Sequence, residues 1–371
     1  MNHFQERLEK IWDWMAQEGI ILCMFEDCET HRDTTIRWLT GHPGDALLFL
    51  SLDRKSLLVP WDINLAKAYS RADIIIPYND FSRKPIKAVH GAVEVFKVPC
   101  GSKIEIPPVT PYPVFLEFIE DLSAFDIICR KESAASYANE LRAVKDAVEI
   151  NVLRKAADIT NTLIDLLEKN VRSGKIKTEA DAAMFIELES RKHGCDGTSF
   201  ETLAAGSERS FGIHAFPSWT AAPFGGQGLS ILDFGLRCHG YCTDVTLTFV
   251  RGPSLAQQKM VNMVEKAAKT ALELIANGIE TSNIALAVDK LFARSKKQMP
   301  HGLGHGIGLD VHEFPYIRNR SGEQWFLSPG MVFTIEPGLY DPLYGGCRLE
   351  NDILMTETGY EILTQARIIW L

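Results

Sequence analysis

The segment GLSILDFGLRCHGYCTDVTLTFV, from Gly228 to Val250, predicts two antiparallel strands joined by a tight turn, because β-branched and aromatic residues flank a short polar stretch. We expect the turn to centre on Cys238 and His239. Asp233 and Asp244 then face each other across the two strands. Opposed like charges destabilise a strand pair, so this hairpin needs something positive between its carboxylates.

A second hairpin repeats this arrangement nearer the C-terminus. The segment MVFTIEPGLYDPLYGGCRLENDILMT (331–356) is expected to turn over residues 341–346, so that Glu336 faces Glu350. A slip of one residue would move a carboxylate to the other face of its strand. Any one acid alone is more typical of a solvated surface, but these strands are apolar, and buried unpaired carboxylates are costly. Two divalent cations such as Mn²⁺ or Co²⁺ would neutralise the four carboxylates.

The stretch HGLGHGIGLDVHE (301–313) carries a glycine at every second position from Gly302 to Gly308. Each glycine costs about 1 kcal/mol relative to alanine inside a helix, so the helical HExxH zinc motif does not apply. We expect extended or irregular backbone that passes close to another strand and lets imidazoles project into a site. One imidazole among four carboxylates suits a pair of first-row metal ions.

Five potential metal ligands stand in this order along the chain: Asp233, Asp244, His305, Glu336 and Glu350. With the phrases LDFG, YCTDVTLTF, GHGIGLDVHE, TIEPG and RLEND, the sequence from about residue 140 onward resembles the pita-bread metallopeptidases: methionine aminopeptidase, aminopeptidase P and prolidase. The resemblance implies that Asp244 and Glu350 bridge two metal ions. Asp233 would complete the shell of one metal, and His305 and Glu336 that of the other. A hydroxide held between the metals would attack the scissile carbonyl.

The same resemblance implies roles for catalytic and substrate-binding residues. Glu336 is the candidate to accept and relay the proton of the attacking water. His214 and His312 match two histidines that contact the substrate and stabilise the tetrahedral intermediate, and His301 matches a further pocket position. Taken alone, His214 would be more typical of a packing residue. Its position nineteen residues before Asp233 favours the catalytic role.

Further residues bear on the metal site and on the substrate. Arg348 shares a strand face with Glu350, and we expect it to hold that carboxylate in place. Tyr316 stands where some prolidases carry an arginine for the carboxylate of a dipeptide, which argues against a strict dipeptidase. Arg318 and Arg320 are close enough in sequence to take over that role.

Length and pattern predict two domains. A chain of 371 residues is longer than one core usually serves. Up to about residue 130, β-branched runs alternate with helix-like stretches, and then the amphipathic pattern ELRAVKDAVEINVLRKAADIT begins. We predict an α+β protein with a smaller α/β domain over residues 1–138 and a catalytic domain over residues 139–371. The first resembles the N-terminal domain of creatinase, and the second resembles the pita-bread fold.

Helix boundaries can also be placed in the second domain. Thr178 with Asp181 predicts a capping box at the start of a helix that Gly194 can close. Two more helices are expected over residues 255–277 and 282–297.

Composition excludes several classes of partner. With 39 basic and 48 acidic residues, the net charge of −9 offers no broad attraction to nucleic acid or anionic membranes. The N-terminus is charged throughout, and no stretch approaches the ~18 apolar residues of a spanning helix. The eight cysteines are scattered, which favours a reduced cytoplasm over a zinc knuckle. We expect an unprocessed, soluble, cytoplasmic protein, and the resemblance implies a homodimer.

We therefore expect a dinuclear metallopeptidase that hydrolyses Xaa-Pro bonds at the N-terminus of peptides or in dipeptides. The bond before proline lacks an N–H group and calls for a dedicated pocket. Mn²⁺ is the expected metal because the ligands are mainly oxygen, with Co²⁺ or Zn²⁺ as alternatives.

Three other functions stay open at this point. Creatinase-like amidinohydrolases have no metal centre, and pita-bread binding or chaperone modules typically lose ligands, whereas the five ligands here are intact. Methionine aminopeptidases normally lack the N-terminal domain. Metal content distinguishes a creatinase-like enzyme or a binding module from a peptidase. Hydrolysis of a panel of peptides distinguishes a methionine aminopeptidase.

Overall fold

The structure is a computed structural model that describes residues 3–320 and 324–371, and the helices and strands below belong to that part of the chain. The chain divides into two compact units, Met1–Leu141 and Arg142–Leu371. Within the described ranges, no helix combines the length and the hydropathy needed to cross a bilayer.

The N-terminal unit is built on one mixed sheet. Its elements are α1 His3–Glu18, β1 Ile20–Asp27, α2 Thr35–Thr40, β2 Ala46–Ser51, β3 Lys55–Pro60, α3 Ile63–Tyr69, β4 Ile74–Ile75, α4 Pro85–Phe96, β5 Lys103–Glu105, α5 Tyr112–Asp121, β6 Asp126–Ile128 and α6 Ala134–Leu141. The strand order is β4-β3-β2-β1-β5-β6, with β1 antiparallel to β2 and parallel to β5. Helix α1 buries Leu8, Ile11, Trp12 and Met15, whose spacing follows one face of a helix.

The C-terminal unit contains two larger sheets and four long helices among its described residues. Its elements are α7 Ala147–Arg172, α8 Glu179–Lys192, β7 Gly197–Thr198, β8 Leu203–Ala205, β9 Gly228–Phe234, β10 Leu236–Cys238, β11 Tyr241–Cys242, β12 Val245–Arg251, α9 Leu255–Leu274, α10 Thr281–Ala293, β13 Gly304–Gly306, β14 Glu313–Ile317, β15 Val332–Ile335, β16 Gly338–Asp341, β17 Gly345–Arg348, β18 Asn351–Thr356, β19 Gly359–Ile362 and β20 Ile368–Trp370. The larger sheets have the orders β20-β12-β9-β8 and β14-β13-β15-β18-β19.

Two apolar cores stabilise this unit. In the first, α7 and α8 pack on the sheet that contains β9 and β12, with Leu163 and Phe249 fully buried. In the second, α9 and α10 pack on the sheet that contains β15, with Phe292 and Phe333 fully buried. Because each sheet is covered by a helix pair, the metal-ligand candidates on its strands lie in low-dielectric surroundings.

The helix boundaries agree in part with the sequence. The predicted capping box at α8 is confirmed, since the side chain of Thr178 accepts from the N–H of Asp181 and the Asp181 carboxylate accepts from the N–H of Thr178. Helices α9 and α10 end before the predicted Asn277 and Lys297. Ile275 leaves the helical region of φ and ψ, which stops α9.

The register of the first hairpin differs from the prediction. Asp233 faces Thr246 rather than Asp244. The turn lies at His239 and Gly240, whose φ angles of 50° and 85° are both positive, as this type of two-residue turn requires. Because the register differs by two residues, Asp233 keeps the strand face that was predicted for it.

The register of the second hairpin is confirmed. Ile335 in β15 faces Asn351 in β18, which is the register from which Glu336 was predicted to face Glu350. Strands β16 and β17 continue the same register beyond them. The two glutamates therefore enter the site from neighbouring strands.

Candidate metal centre

The nine residues predicted as metal ligands, catalytic or pocket histidines, or support for a ligand line one cavity. The cavity has a volume of about 680 Å³. Its lining includes His214, Asp233, Asp244, His301, His305, His312, Glu336, Arg348 and Glu350. The structure thus brings together residues that are far apart in sequence, while their individual roles stay predictions.

The backbone positions the five potential ligands at strand ends and in a glycine-rich strand. Asp233 lies in β9 and His305 in β13. Asp244, Glu336 and Glu350 lie directly beside the ends of β12, β15 and β18. Strand ends leave room for side chains to converge, whereas strand centres are occupied by packing against neighbours.

Three of these residues form the tightest group. One ligand atom from each of Asp244, His305 and Glu350 lies within 4.8 Å of the others. The Nε2 atom of His305 is 3.7 Å from Asp244 Oδ2 and 3.7 Å from Glu336 Oε1. Its Nδ1 lies 3.1 Å from the carbonyl oxygen of Gly306, which requires a proton on Nδ1. The Nε2 lone pair therefore points at the carboxylates, as a metal ligand would.

Arg348 supports this group differently from the prediction. It was expected to hold Glu350, but its Nη2 donates to Asp233 Oδ2 at 2.6 Å. It reaches Glu350 only through Thr246: Arg348 Nε donates to Thr246 Oγ1 at 2.9 Å, and that hydroxyl donates to Glu350 Oε2 at 2.8 Å. The reason is tertiary, because β9 and β12 place Asp233 and Thr246 within hydrogen-bond distance of the guanidinium.

Burial and mutual repulsion oppose ionisation of the acids. Desolvation, followed by the charges of Glu350 and Asp233, raises the pKa of Asp244 well above its usual range. Desolvation and Glu350 likewise raise the pKa of Glu336. Desolvation and then Asp233 raise the pKa of Glu350 to about 7. Crowded carboxylates of this kind hold protons more tightly than usual, and a divalent cation among them would stabilise their ionised forms instead.

The donor set fits a divalent metal. Among the described residues, Asp233 Oδ1 and Asp244 Oδ1 are buried and have no hydrogen-bond partner. Buried unpaired carboxylate oxygens are unfavourable unless a cation neutralises them. Carboxylate oxygens with one imidazole suit Mn²⁺ or another first-row ion. Desolvation and the neighbouring His312 lower the pKa of His305 to about 3, so its imidazole is neutral and able to bind metal at neutral pH.

Two glycines allow β13 to place His305 in the cavity. A Cβ atom at Gly304 would lie 1.9 Å from the carbonyl oxygen of Thr334, and one at Gly306 would lie 2.0 Å from that of Phe314. The strand can therefore fit between its neighbours β14 and β15 only with glycine at these positions. The extended or irregular backbone predicted for this stretch is confirmed, since Gly304–Gly306 form strand β13.

Two residues that contact the predicted site residues, Tyr340 and Asp352, were not predicted from the sequence. The hydroxyl of Tyr340 accepts from Arg348 Nη1 at 2.8 Å and lies 3.0 Å from His301 Nε2, which connects Arg348 with a pocket histidine. Asp352 is buried, and its Oδ2 accepts from the N–H of Asp244 at 3.2 Å. The alternation of faces along β18 could have indicated Asp352, two residues after Glu350. Nothing in the local sequence indicates the position of Tyr340.

A disulfide and an ion cluster were also not predicted. Cys195 and Cys238, separated by 43 residues, form a disulfide that links the segment after α8 to β10. Beside the cavity, the buried carboxylate of Glu313 pairs with Arg142 and with Lys145, whose Nζ is 3.1 Å from Oε2. The disulfide and the ion cluster each join residues that are distant in sequence. Local sequence patterns do not reveal such contacts.

Comparison with known proteins agrees with this geometry. The sequence model of metallopeptidase family M24 matches residues 151–357. A protein of Methanocaldococcus jannaschii that is named an uncharacterised peptidase is 34% identical over 231 residues, which is 62% of this chain and 65% of that protein. The chain thus spans just under two thirds of the length of the curated relatives it matches.

Solved structures match over nearly the whole chain. A prolidase from Thermococcus sibiricus has a TM-score of 0.84 at 27% identity and covers 100% of both chains. A dipeptidase from Pyrococcus horikoshii has a TM-score of 0.82 at 27% identity and covers 98% of this chain and 100% of its own. The predicted fold class, α+β with a pita-bread C-terminal part, is confirmed by these likenesses.

Proposed function

The chain belongs to metallopeptidase family M24, and we propose that it hydrolyses the bond before proline, at the N-terminus of peptides or in Xaa-Pro dipeptides. The observation that carries this proposal is the convergence of four carboxylates and one neutral imidazole in a single cavity. The name of the Thermococcus sibiricus relative, a prolidase, supports the preference for proline.

In this proposal, five side chains hold two divalent metal ions. Asp244 and Glu350 would contribute to holding both ions, Asp233 would hold one of them, and His305 and Glu336 would hold the other. When bound, the metal pair would supply an activated water and polarise the scissile carbonyl. Mn²⁺ is the proposed metal because the ligands are mainly oxygen, and Co²⁺ and Zn²⁺ are the alternatives to compare with it.

The remaining steps belong to the side chains of the chain itself. Glu336 is the proposed proton acceptor, because its partly buried carboxylate lines the cavity and stands 3.6 Å from His301 Nδ1 and 3.7 Å from His305 Nε2. His214 and His312 line the same cavity and can donate hydrogen bonds to the substrate carbonyl oxygen as it gains charge. The proline ring itself offers no N–H, so its recognition depends on shape and on apolar lining such as Leu203 and Val311.

The test is the hydrolysis of Ala-Pro beside Ala-Pro-Ala by metal-stripped protein, with and without added Mn²⁺. We expect cleavage only when metal is restored. Cleavage of the dipeptide alone would identify a prolidase, and cleavage of the tripeptide would identify an aminopeptidase P. If neither peptide is cut with Mn²⁺, Co²⁺ or Zn²⁺, the hydrolytic proposal fails and a binding function takes its place.

Substitution of a bridging ligand tests the metal assignment separately. Asp244→Ala and Glu350→Ala should each abolish the binding of a metal pair and the turnover together. Metal content by atomic emission and the rate with Ala-Pro-Ala are the two measurements. Either variant retaining full activity would contradict the dinuclear proposal.

We also propose that the protein acts in the cytoplasm as a homodimer. Sedimentation velocity on the purified protein checks the second part. A species with the mass of two chains is expected, and a monomer at all concentrations would contradict it.

A further inference from the structure

A short antiparallel contact between residues 244–248 and residues 348–352, the seam, joins the two larger sheets of the C-terminal unit. At its centre, the N–H of Glu350 donates to the carbonyl oxygen of Thr246 at 3.2 Å. In an antiparallel pair, the residue two positions before Thr246 faces the residue two positions after Glu350. These residues are Asp244 and Asp352. The seam therefore places a proposed metal ligand opposite a carboxylate to which the proposed function gives no role.

The contacts along the seam follow this register. On one side of its centre, the hydroxyl of Thr248 donates to the carbonyl oxygen of Arg348 at 2.8 Å and accepts from its N–H at 3.1 Å. On the other side, Asp352 Oδ2 accepts from the N–H of Asp244 at 3.2 Å. At both ends of the seam, a side chain thus takes the place of a backbone partner.

The N–H of Asp244 lies just outside a strand ladder. Pairing of β9 with β12 begins at Phe234 and Val245. Asp244 is buried, so its N–H needs an acceptor from elsewhere, and Asp352 supplies one. This bond fixes the backbone of Asp244 at the point where its side chain reaches the cavity.

Asp352 is itself held in a fixed position. Its N–H donates to Thr364 Oγ1 at 2.8 Å, and its carbonyl oxygen accepts from the N–H of Leu363 at 2.9 Å. Across the strand pair it faces Thr334 of β15. A carboxylate on a backbone that is bonded on both sides defines where the N–H of Asp244 stands.

The geometry makes Asp352 a neighbour of the ligands and not one of them. In the part of the chain that the structure describes, the group whose ligand atoms lie within 4.8 Å of one another contains Asp244, His305 and Glu350. Asp352 is 1% exposed, and its Oδ1 has no hydrogen-bond partner among the described residues. Burying such an oxygen is unfavourable, so stability alone does not account for a carboxylate at this position.

We infer that Asp352 is a positioning residue for the metal centre. By accepting the N–H of Asp244, it fixes the separation between the carboxylates of Asp244 and Glu350, which are proposed to hold both ions. This inference rests on the proposed function. Residues that bond to metal ligands without touching the metal set the orientation of those ligands, and their loss weakens metal binding.

The test measures the binding of Mn²⁺ to metal-stripped protein by isothermal titration calorimetry. Asp352→Ala removes the acceptor and should raise the dissociation constant by about 10–100-fold. Asp352→Asn keeps an oxygen that can accept the same bond and should restore most of the affinity. With Co²⁺ in place of Mn²⁺, the visible absorption spectrum reports the geometry of the ligands. It should change in Asp352→Ala and return towards that of the wild type in Asp352→Asn.

Glu105→Ala is the matched control. Glu105 is also 1% exposed, its Oε1 accepts from the N–H of Ala134 at 2.7 Å, and its Oε2 has no hydrogen-bond partner among the described residues. It belongs to the N-terminal unit and is not a lining residue of the metal-site cavity. Urea unfolding should show a loss of stability in both stripped variants, whereas only Asp352→Ala should lose affinity for Mn²⁺.

Wild-type affinity and an unchanged Co²⁺ spectrum in Asp352→Ala would overturn the inference. An equal loss of affinity in Glu105→Ala would also overturn it, because affinity would then follow general stability. If Asp352→Ala does not fold, Asp352→Glu decides. It keeps the charge but moves the acceptor by one methylene group, so it should weaken Mn²⁺ binding and alter the spectrum. Wild-type behaviour of Asp352→Glu would overturn the inference.

These outcomes are separate from those of the proposed function. If the protein cleaves neither Ala-Pro nor Ala-Pro-Ala, but Asp352→Ala weakens Mn²⁺ binding as expected, the peptidase proposal fails and this inference stands. If the peptides are cleaved and Asp352→Ala binds Mn²⁺ as the wild type does, the reverse holds. If the wild type binds none of Mn²⁺, Co²⁺ and Zn²⁺, the metal assignment and this inference both fail.

Discussion

Among single residues, Glu313 shows how buried charge is balanced in this protein. Its carboxylate is 5% exposed and pairs with Arg142 and Lys145, whose side chains are 3% and 1% exposed. Burial by itself would raise the pKa of Glu313, but the two cations hold it below the usual value of 4.5. Because the folded-state pKa is the lower one, this contribution to stability is complete above about pH 4.5 and is lost as the pH falls through the folded-state pKa.

Glu313→Gln should destabilise the protein at neutral pH by about 3–5 kcal/mol, because it removes the buried carboxylate that pairs with Lys145 and with Arg142, and of these two cations Arg142 keeps an ion pair with Asp310. Urea unfolding at pH 7 and at pH 4 measures the effect, and the difference from wild type should be smaller at the lower pH. Glu361→Gln is the control, since its pair with Arg154 is largely exposed and is worth about 0.2–1 kcal/mol. Equal losses in the two variants would contradict a role for burial.

His214 illustrates a residue whose loss should affect chemistry but not structure. It is exposed within the cavity that the metal-ligand candidates line. His214→Ala should lower kcat for Ala-Pro-Ala by about a hundredfold, the usual effect of removing one donor to a developing oxyanion. Metal content should be unchanged. His193→Ala, at the end of α8 and outside the cavity lining, is the control. Loss of metal in His214→Ala would show that its role was misassigned.

Among the strands, β13 depends on close approach to its neighbours. Gly304 leaves no room for a side chain, because a Cβ atom there would lie 1.9 Å from the carbonyl oxygen of Thr334. At Gly302 the nearest atom to such a Cβ, on Arg318, is 3.7 Å away. Substitution by alanine should therefore lower the stability of the protein more at Gly304 than at Gly302, although the two glycines are only two residues apart.

Gly304→Ala should lower stability by about 1–3 kcal/mol, as overpacking usually does, and should weaken metal binding because His305 moves with the strand. Gly302→Ala should change stability by much less. Thermal unfolding and metal titration of both variants provide the comparison. If Gly304→Ala binds metal as wild type does, the strand does not position His305 as inferred.

For the protein as a whole, metal binding and folding are linked through the crowded acids. A metal that binds the folded state stabilises it by about 2.7 kcal/mol at one hundred times its dissociation constant. For a domain of this size that corresponds to a rise in Tm of about 5–10 °C. We expect Mn²⁺ to raise the Tm of the stripped protein by this amount.

The rise in Tm on addition of Mn²⁺ should be absent in Asp244→Ala and present in Asp121→Ala. Asp121 is a carboxylate of the N-terminal unit with a side chain that is 59% exposed. Differential scanning calorimetry with and without Mn²⁺ gives the measurement. A shift of equal size in both variants would mean that the metal binds elsewhere.

Local sequence determined a strand register, the backbone conformation around His305 and the start of a helix. The register of β15 and β18 follows from the alternation of faces along a strand and from the turn over residues 341–346. It is the register from which Glu336 was predicted to face Glu350. Glycines at alternate positions excluded a helix around His305, and Thr178 with Asp181 began α8. These features depend on residues a few positions apart, so their signals survive in the sequence alone.

Tertiary structure decided the rest, because it depends on contacts that local patterns do not encode. The positive φ angles at His239 and Gly240 set the register of the first hairpin. Arg348 donates to Asp233, 115 residues away, and is linked to Glu350 through Thr246. The disulfide likewise joins distant segments. The geometry of packing decides which side chains meet across packed elements. The sequence of a single element does not encode these contacts.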